Sequence, residues 1–451
     1  MPAHAALGRT PVDLGPAETL LVLRKVLGPL VAEGAIMRRP AVTAWAERRQ
    51  VDRDLVRTLG SLRDRHGGAP LVLRLGPRRI VVVTEADDVA RLLQGTPVPF
   101  SAATREKRGA LDQFVPHGVL VSTAAGRTVR RPVNEAALDT GRPVHGDADL
   151  ILEVVDREAH GLLARARERG ILDWAAFTDA FTRAAREITL GPTARDDTPL
   201  TDTLTALRRA ANWSYLHPRR KRLRRDLDSR IRLYARAAPP RTLLGRALAR
   251  AEQDGTTGIA DPAGQVPHWL FAFDAAGSTV FRALAVLASR PEARAAVLAE
   301  VIPPTSDHPP LLPASRAAVL EAVRLWPTTL LILRDSTEPT VWGARELPAG
   351  TGFAIVSAFF HRDERRLPFA HEFTPGAWSD GRAADDRGIV PFSGGPAACA
   401  GRDLVLLVAS SWLTRLVAGG NLDLEGRSRY LARDPLPATV DHLGLRFTVG
   451  R

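Results

Sequence analysis

The sequence of 451 residues holds one cysteine, Cys399, two methionines and three tyrosines. A single thiol excludes an intramolecular disulfide, and with it the small disulfide-stapled folds. No run of 18 apolar residues occurs, so no membrane span is expected. The apolar stretch Leu20–Val31 is interrupted by Arg24 and Lys25 and does not read as a secretory leader. The chain is therefore expected to be cytoplasmic. Lysine is nearly missing as well: only Lys25, Lys107 and Lys221 stand among 62 basic residues. Arginine supplies the rest and gives a net charge of +12. The arginines are interleaved with 50 acidic residues along the whole chain. That spread reads as a compositional habit rather than the clustered patch of a nucleic-acid binder. One segment stands apart, Arg219–Arg236, where Leu223, Leu227, Ile231 and Tyr234 recur at helical spacing. It is read as an amphipathic helix whose cationic face is solvated. His-Glu-x-x-His, Gly-x-Ser-x-Gly, a phosphate loop and a dinucleotide fingerprint are all absent, and the 11 histidines are scattered singly. Zinc, serine-hydrolase and nucleotide chemistries lack support accordingly.

What is present is ordinary globular composition, 45% apolar and 25% charged, in a chain long enough to bury a sizeable core. Residues 1–68 read as helical with proline breaks. Pro70–Leu75 and Arg79–Thr84 flank a Gly76-Pro77-Arg78 turn and predict a hairpin. A short helix over 85–93 and an irregular stretch over 94–125 follow. The pattern from 148 to 252 is helical. A Gly/Asp/Thr linker (253–265) leads into a helix from Pro267 to about Ser289 that is apolar nearly all round, the mark of a buried helix. Further helices are expected over 291–301, 315–325 and 400–417, with a proline-rich gap at 302–313. Apolar runs at Leu330–Leu333, Phe353–Phe360 and Leu443–Val449 predict strands.

The lone cysteine lies in Phe392-Ser-Gly-Gly395-Pro-Ala-Ala-Cys399-Ala-Gly401-Arg, just before the 400–417 helix. Glycines at 394, 395 and 401 let backbone come close to something flat. Amides at a helix N-terminus favour a thiolate, and a thiolate is a good axial ligand for haem iron. Phe392, Gly395, Cys399 and Gly401 match the F-x-x-G-x-x-x-C-x-G signature of the cytochrome P-450 haem-thiolate family, which this chain resembles from about residue 60 onward. Other landmarks follow in order. Glu321-Ala-Val-Arg324, followed by Leu-Trp-Pro, resembles the structural ion pair of the family's K helix. Arg334 stands where the family binds a haem propionate, as a guanidinium can do bidentately. Arg131 matches the arginine of a Trp/His-x-x-x-Arg motif, with Arg127 at the aromatic position. Ala275-Ala276-Gly277-Ser278-Thr279 resembles the A/G-G-x-D/E-T-T/S motif of the I helix. Its small residues would let a ring system press on the helix, and Thr279 takes the threonine position.

The resemblance implies a mainly α fold with a small β region, in one large catalytic domain (61–451) behind an N-terminal helical lead-in (1–60). It implies haem b, with Cys399 as the metal ligand and Arg334, Arg131, Phe392, Gly395 and Ala276 around the cofactor. Thr279 and Ser278 are the expected catalytic residues. The implied reaction inserts one atom of O2 into a small, largely apolar organic substrate, a reaction of specialised metabolism. Electrons would come from NAD(P)H through a separate ferredoxin or flavodoxin, since no reductase domain is evident. Three departures stand out. Ser278 occupies the usual acid position, Ala397 the usual Arg/His position two before the cysteine, and Ala377 the arginine position of the meander. Asp274 is the acid nearest Thr279, but five residues at about 100° each point it roughly 140° away. Two alternatives stay open, the first motivated by Ser278 and the nucleic-acid form of the second by the cations of 219–236. One is a haem-thiolate enzyme with peroxide-driven, coupling or dehydration chemistry. The other is a binding protein without turnover, for haem, a small molecule or nucleic acid.

Overall fold

The hairpin seeds the larger sheet. The structure, a computed structural model, describes residues 8–34, 36–214, 218–301, 310–426 and 428–450. Within it β1 (Val12–Asp13) runs parallel to β2 (Leu71–Leu75), and β2 turns at Gly76 into antiparallel β3 (Arg78–Val82). β4 (Phe100–Ser101), β6 (Leu331–Ser336) and β9 (Gly352–Val356) complete the order β1-β2-β3-β9-β6-β4. β5 (Ile171–Asp173), β10 (Leu422–Leu424) and β11 (Arg446–Val449) form a second sheet, and β7 (Thr340–Trp342) with β8 (Arg345–Leu347) a third. Along β6 the side chains of Ile332, Arg334 and Ser336 are buried alternately with half-buried neighbours. The period-two pleat thus carries a guanidinium into the interior at the register position opposite Phe353.

Helices make up most of the remainder. Those that position the site are α1 (Ala86–Gln94), α2 (Arg105–Leu111), α3 (Ala124–Ala137), α4 (Ala148–Arg169), α5 (Trp174–Leu190), α6 (Thr198–Ala211), α7 (Lys221–Ala235), α8 (Val266–Ser289), α9 (Pro313–Leu325) and α10 (Arg402–Gly419). The apolar helix α8 lies at the centre, packed against α5, α9 and α10. Aromatic rings fill the contact: Phe177 of α5 stacks on Phe281 of α8 at 5.0 Å and meets Trp412 of α10 edge-on at 5.7 Å. Pro267 opens α8 where its missing N–H costs nothing. Residues 257–289 are long and apolar enough to cross a membrane, but 78% of the most apolar window is buried inside the protein. This segment is the core helix of the fold.

The sequence expectations fail in three informative places. The 94–125 stretch is not wholly irregular: it holds α2, whose Thr104 cap accepts a hydrogen bond from the Lys107 amide at 3.3 Å. Short and polar, α2 has no apolar stripe to announce it. The run Phe353–Phe360 is a strand only to Val356, after which Ser357–His361 is helical. A fully apolar run carries no periodicity to separate the two. The short strands β1 and β5 lie in segments read as helical. Of the expected proline-rich gap, residues 302–309 lie outside the described residues.

Candidate active site

A cavity of about 890 Å³ opens between α8, α3, β6 and the loop that leads into α10. Cys399, Thr279, Ser278, Ala276, Phe392, Arg131 and Arg334 all line it. The tertiary structure therefore gathers seven of the eight expected site residues, drawn from four separate segments. Gly395 is the exception.

The cysteine loop is held by its own backbone. The Cys399 amide donates to the Phe392 carbonyl at 2.9 Å, and the Ala398 amide to the Gly395 carbonyl at 2.9 Å. Gly395 has φ +61, and a Cβ there would overlap the Leu93 carbonyl oxygen of α1. Its freedom serves the turn and its packing on α1, and it is not among the residues that line the cavity. Cys399 is exposed, but to the cavity. Burial among protein atoms pushes its thiol up, while a hydrogen bond from the Gly401 amide and the charge of Arg131 pull the other way. The helix-end bias toward a thiolate is thus present and outweighed. Coordination to a metal ion reverses that balance, because a ligating thiol is deprotonated outright.

Three cations meet at one rim. Arg334 is buried, donating from Nε to Thr96 Oγ1 at 2.9 Å and from Nη2 to Ser393 Oγ at 3.2 Å. Burial first, and then the charge of Arg127, lower it to about 10. Lys107 is lowered to about 7 by burial and then by Arg334. Its Nζ donates to the Leu333 carbonyl at a long 3.4 Å. Arg127 donates to the Pro396 carbonyl at 2.8 Å. Arg131, the arginine expected at this rim, is instead paired with Glu135 on its own helix and donates to the Ala398 carbonyl at 2.9 Å. Arg127 is therefore the α3 arginine that joins Arg334. Lys107 escaped the sequence reading because α2 did; its only signal was a lysine in a chain with almost none.

On the opposite element, the Ser278 and Thr279 hydroxyls donate to one acceptor, the Ala275 carbonyl, at 2.8 and 3.1 Å. Gly277 turns away from the cavity: a Cβ there would sit 3.3 Å from the Phe181 ring. Its small size serves helix packing rather than a ring in the pocket. Trp269 Nε1 donates to Asn134 Oδ1 at 2.8 Å and fixes α3 against α8. Behind the cysteine loop, Glu321 and Arg324 form a bidentate pair at 2.6 and 2.8 Å with both side chains 0% exposed. Ala377, where the family has an arginine, is fully buried. The neighbouring Trp378 Nε1 and the Thr374 amide donate to Glu321 instead, at 2.8 and 2.9 Å.

Residues 221–419 match the model of the family described as Cytochrome P450. A cyclooctat-9-en-7-ol 5-monooxygenase of Streptomyces melanosporofaciens is 31% identical over 223 residues, 45% of this chain and 48% of that protein. Over these stretches the chain is similar to the cytochrome P450 family. A second Streptomyces melanosporofaciens relative, a cyclooctatin synthase, is 36% identical over 125 residues, 26% of this chain and 27% of that protein. The alignments span about half or less of these relatives. Among solved structures, retinoic-acid-bound cyanobacterial CYP120A1 superposes with TM-score 0.71 at 19% identity, covering 87% of this chain and 93% of its own. CYP175A1 from Thermus thermophilus gives TM-score 0.67 at 18% identity over 98% and 100%. The fold is that of a P450.

The residues present fit the haem-thiolate group that the family implies. The cluster of Lys107, Arg127 and Arg334 brings three cations together, each lowered by burial, at a rim that two carboxylates can neutralise bidentately. The only thiol of the chain opens into the same cavity.

Proposed function

We propose that this protein is a P450 monooxygenase that inserts one atom of O2 into a small, largely apolar organic substrate. The reaction balances as RH + O2 + NAD(P)H + H+ giving ROH + H2O + NAD(P)+. The observation that carries the reading is the convergence of the lone thiol, the Thr279 hydroxyl and a buried cation cluster on one cavity. Haem b is the proposed cofactor. It supplies the redox chemistry, and electron donation from a thiolate ligand favours O–O cleavage. Cys399 would hold the iron, with Arg334, Arg127 and Lys107 on the carboxylates. Ala276 and Phe392 would flank the ring, and Thr279 would hold and orient a water for proton delivery. Leu111, Val119, Leu204, Phe271 and Leu331 line the cavity with apolar surface, which suits a substrate of that kind. One Streptomyces relative, a cyclooctat-9-en-7-ol 5-monooxygenase, supports the same class, and a setting in specialised metabolism is proposed with it. Electrons are proposed to come through a separate ferredoxin or flavodoxin.

Turnover, coupling and haem retention test this. With NADPH and a surrogate ferredoxin and reductase, the holoenzyme is expected to form oxygenated product from an apolar probe such as cyclooctene. Thr279→Ala should release most reducing equivalents as hydrogen peroxide, and Ser278→Asp should raise product per NADPH. Unchanged coupling in both variants would refute the role given to this helix. With haem bound, Arg334→Ala would strand a buried carboxylate without its partner, a loss of about 3–5 kcal/mol. Its haem content and melting temperature should both fall; wild-type values for both would refute the carboxylate assignment.

A further inference from the structure

A P450 that consumes two protons per turnover must deliver them beside Thr279, and the residue next to it, Ser278, has no acid to give. The geometry of α8 points to another source. Asp274 and Ser278 are four residues apart, so their side chains lie about 40° apart around the helix and about 6 Å apart along it. Asp274 is off the face of Thr279 but on the face of Ser278. Both line the cavity. The Asp274 carboxylate is fixed from outside: its Oδ2 accepts from Arg208 Nη2 of α6 at 2.6 Å. Arg208 is held in turn by the face of the Phe271 ring, 4.8 Å away. Ser278 and Thr279 are then joined through a shared acceptor, since both hydroxyls donate to the Ala275 carbonyl. Each hydroxyl oxygen keeps its lone pairs free to accept from water. Finally, the Asp274 side chain is 41% exposed, open to water in the cavity it lines.

We infer that Asp274 is the proton-supplying residue of this enzyme, acting through Ser278 on the water that Thr279 orients, with Arg208 as the residue that positions its carboxylate. The acid that the family carries next to its threonine is displaced here by one helical turn, and a serine hydroxyl spans the turn. Each proton leaves the Asp274 carboxyl for a water, passes across the Ser278 hydroxyl and reaches the Thr279 site. The carboxylate left behind is reprotonated by solvent. This inference rests on the monooxygenase reading.

The test uses the holoenzyme with cyclooctene. Asp274→Asn should lower epoxide formed per NADPH by about tenfold, a partial loss of general-acid assistance. Peroxide-supported epoxidation, which brings its own protons, should fall by much less. Because the asparagine side chain also leaves Arg208 without this anion, Asp274→Asn combined with Ser278→Asp is the deciding variant. It leaves Arg208 as it is in the single variant and places an acid beside Thr279, so coupling should recover. A crystal structure should show a water within hydrogen-bond distance of both Asp274 Oδ1 and Ser278 Oγ. Wild-type coupling in Asp274→Asn, a haem-loaded double variant that stays uncoupled, or no such water would each overturn the relay. A wild-type enzyme that makes no epoxide from either oxidant overturns the monooxygenase reading and the relay with it. Failure of the relay alone leaves wild-type turnover intact.

Discussion

Cys399→Ala is expected to abolish the strongly red-shifted Soret band of the reduced, carbon-monoxide-bound protein while leaving the fold in place. The loss should be complete, because no second thiol exists to substitute. The fold should survive because the loop does not depend on the side chain. Its backbone hydrogen bonds run Cys399 to Phe392 and Ala398 to Gly395. From outside it is gripped by Arg127 on the Pro396 carbonyl and by Arg131 on the Ala398 carbonyl. Absorbance of the reduced carbon-monoxide complex, read with the far-ultraviolet circular dichroism of the same sample, separates loss of ligation from loss of structure. Survival of the red-shifted band in Cys399→Ala would refute thiolate ligation by this residue.

The second large effect lies outside the cavity. Glu321→Ala should prevent accumulation of folded, haem-loaded protein at 37 °C. Removing one partner of a fully buried ion pair costs about 3–5 kcal/mol, a large share of the roughly 5–15 kcal/mol that keeps a protein folded. Arg324 would keep its donations to the carbonyls of His361, Phe369, Ala370 and Glu372, but would lose the carboxylate it pairs with. The Trp378 indole and the Thr374 amide would lose their acceptor as well. An unpaired buried donor costs about 1–3 kcal/mol. Glu321→Gln should be less damaging, because the amide oxygen can still accept one of these bonds. Soluble yield and melting temperature order the three proteins as wild type, glutamine, alanine. A wild-type melting temperature in Glu321→Ala would show that the pair is dispensable.

Several features were determined by the sequence alone, because each is local. A hairpin follows from two apolar runs and a glycine turn. The buried helix α8 follows from apolar residues on every side of a 24-residue helix. Cys399 could be singled out because it is the only thiol, and the spacing around it is short enough to read as a motif. The Glu321–Arg324 pair is one helical turn and needs no tertiary contact to form. What surrounds these features was decided by distance in space. Gly395 and Gly277 look alike in sequence as small residues near a cofactor. Their reasons lie in the Leu93 carbonyl and the Phe181 ring, which come from α1 and α5. Arg127 and Arg131 share a helix face at i, i+4, and only the positions of Glu135 and Arg334 decide which one remains available to an external anion. Lys107 joins the rim because Thr104 caps a helix too short to leave a periodic trace. Asp274 shares the face of Ser278 by helical spacing, but its carboxylate is fixed only because Arg208, 66 residues away in sequence, meets it. Charge matching and close packing are pairwise properties of groups that the chain brings together only on folding, so no window of sequence contains them.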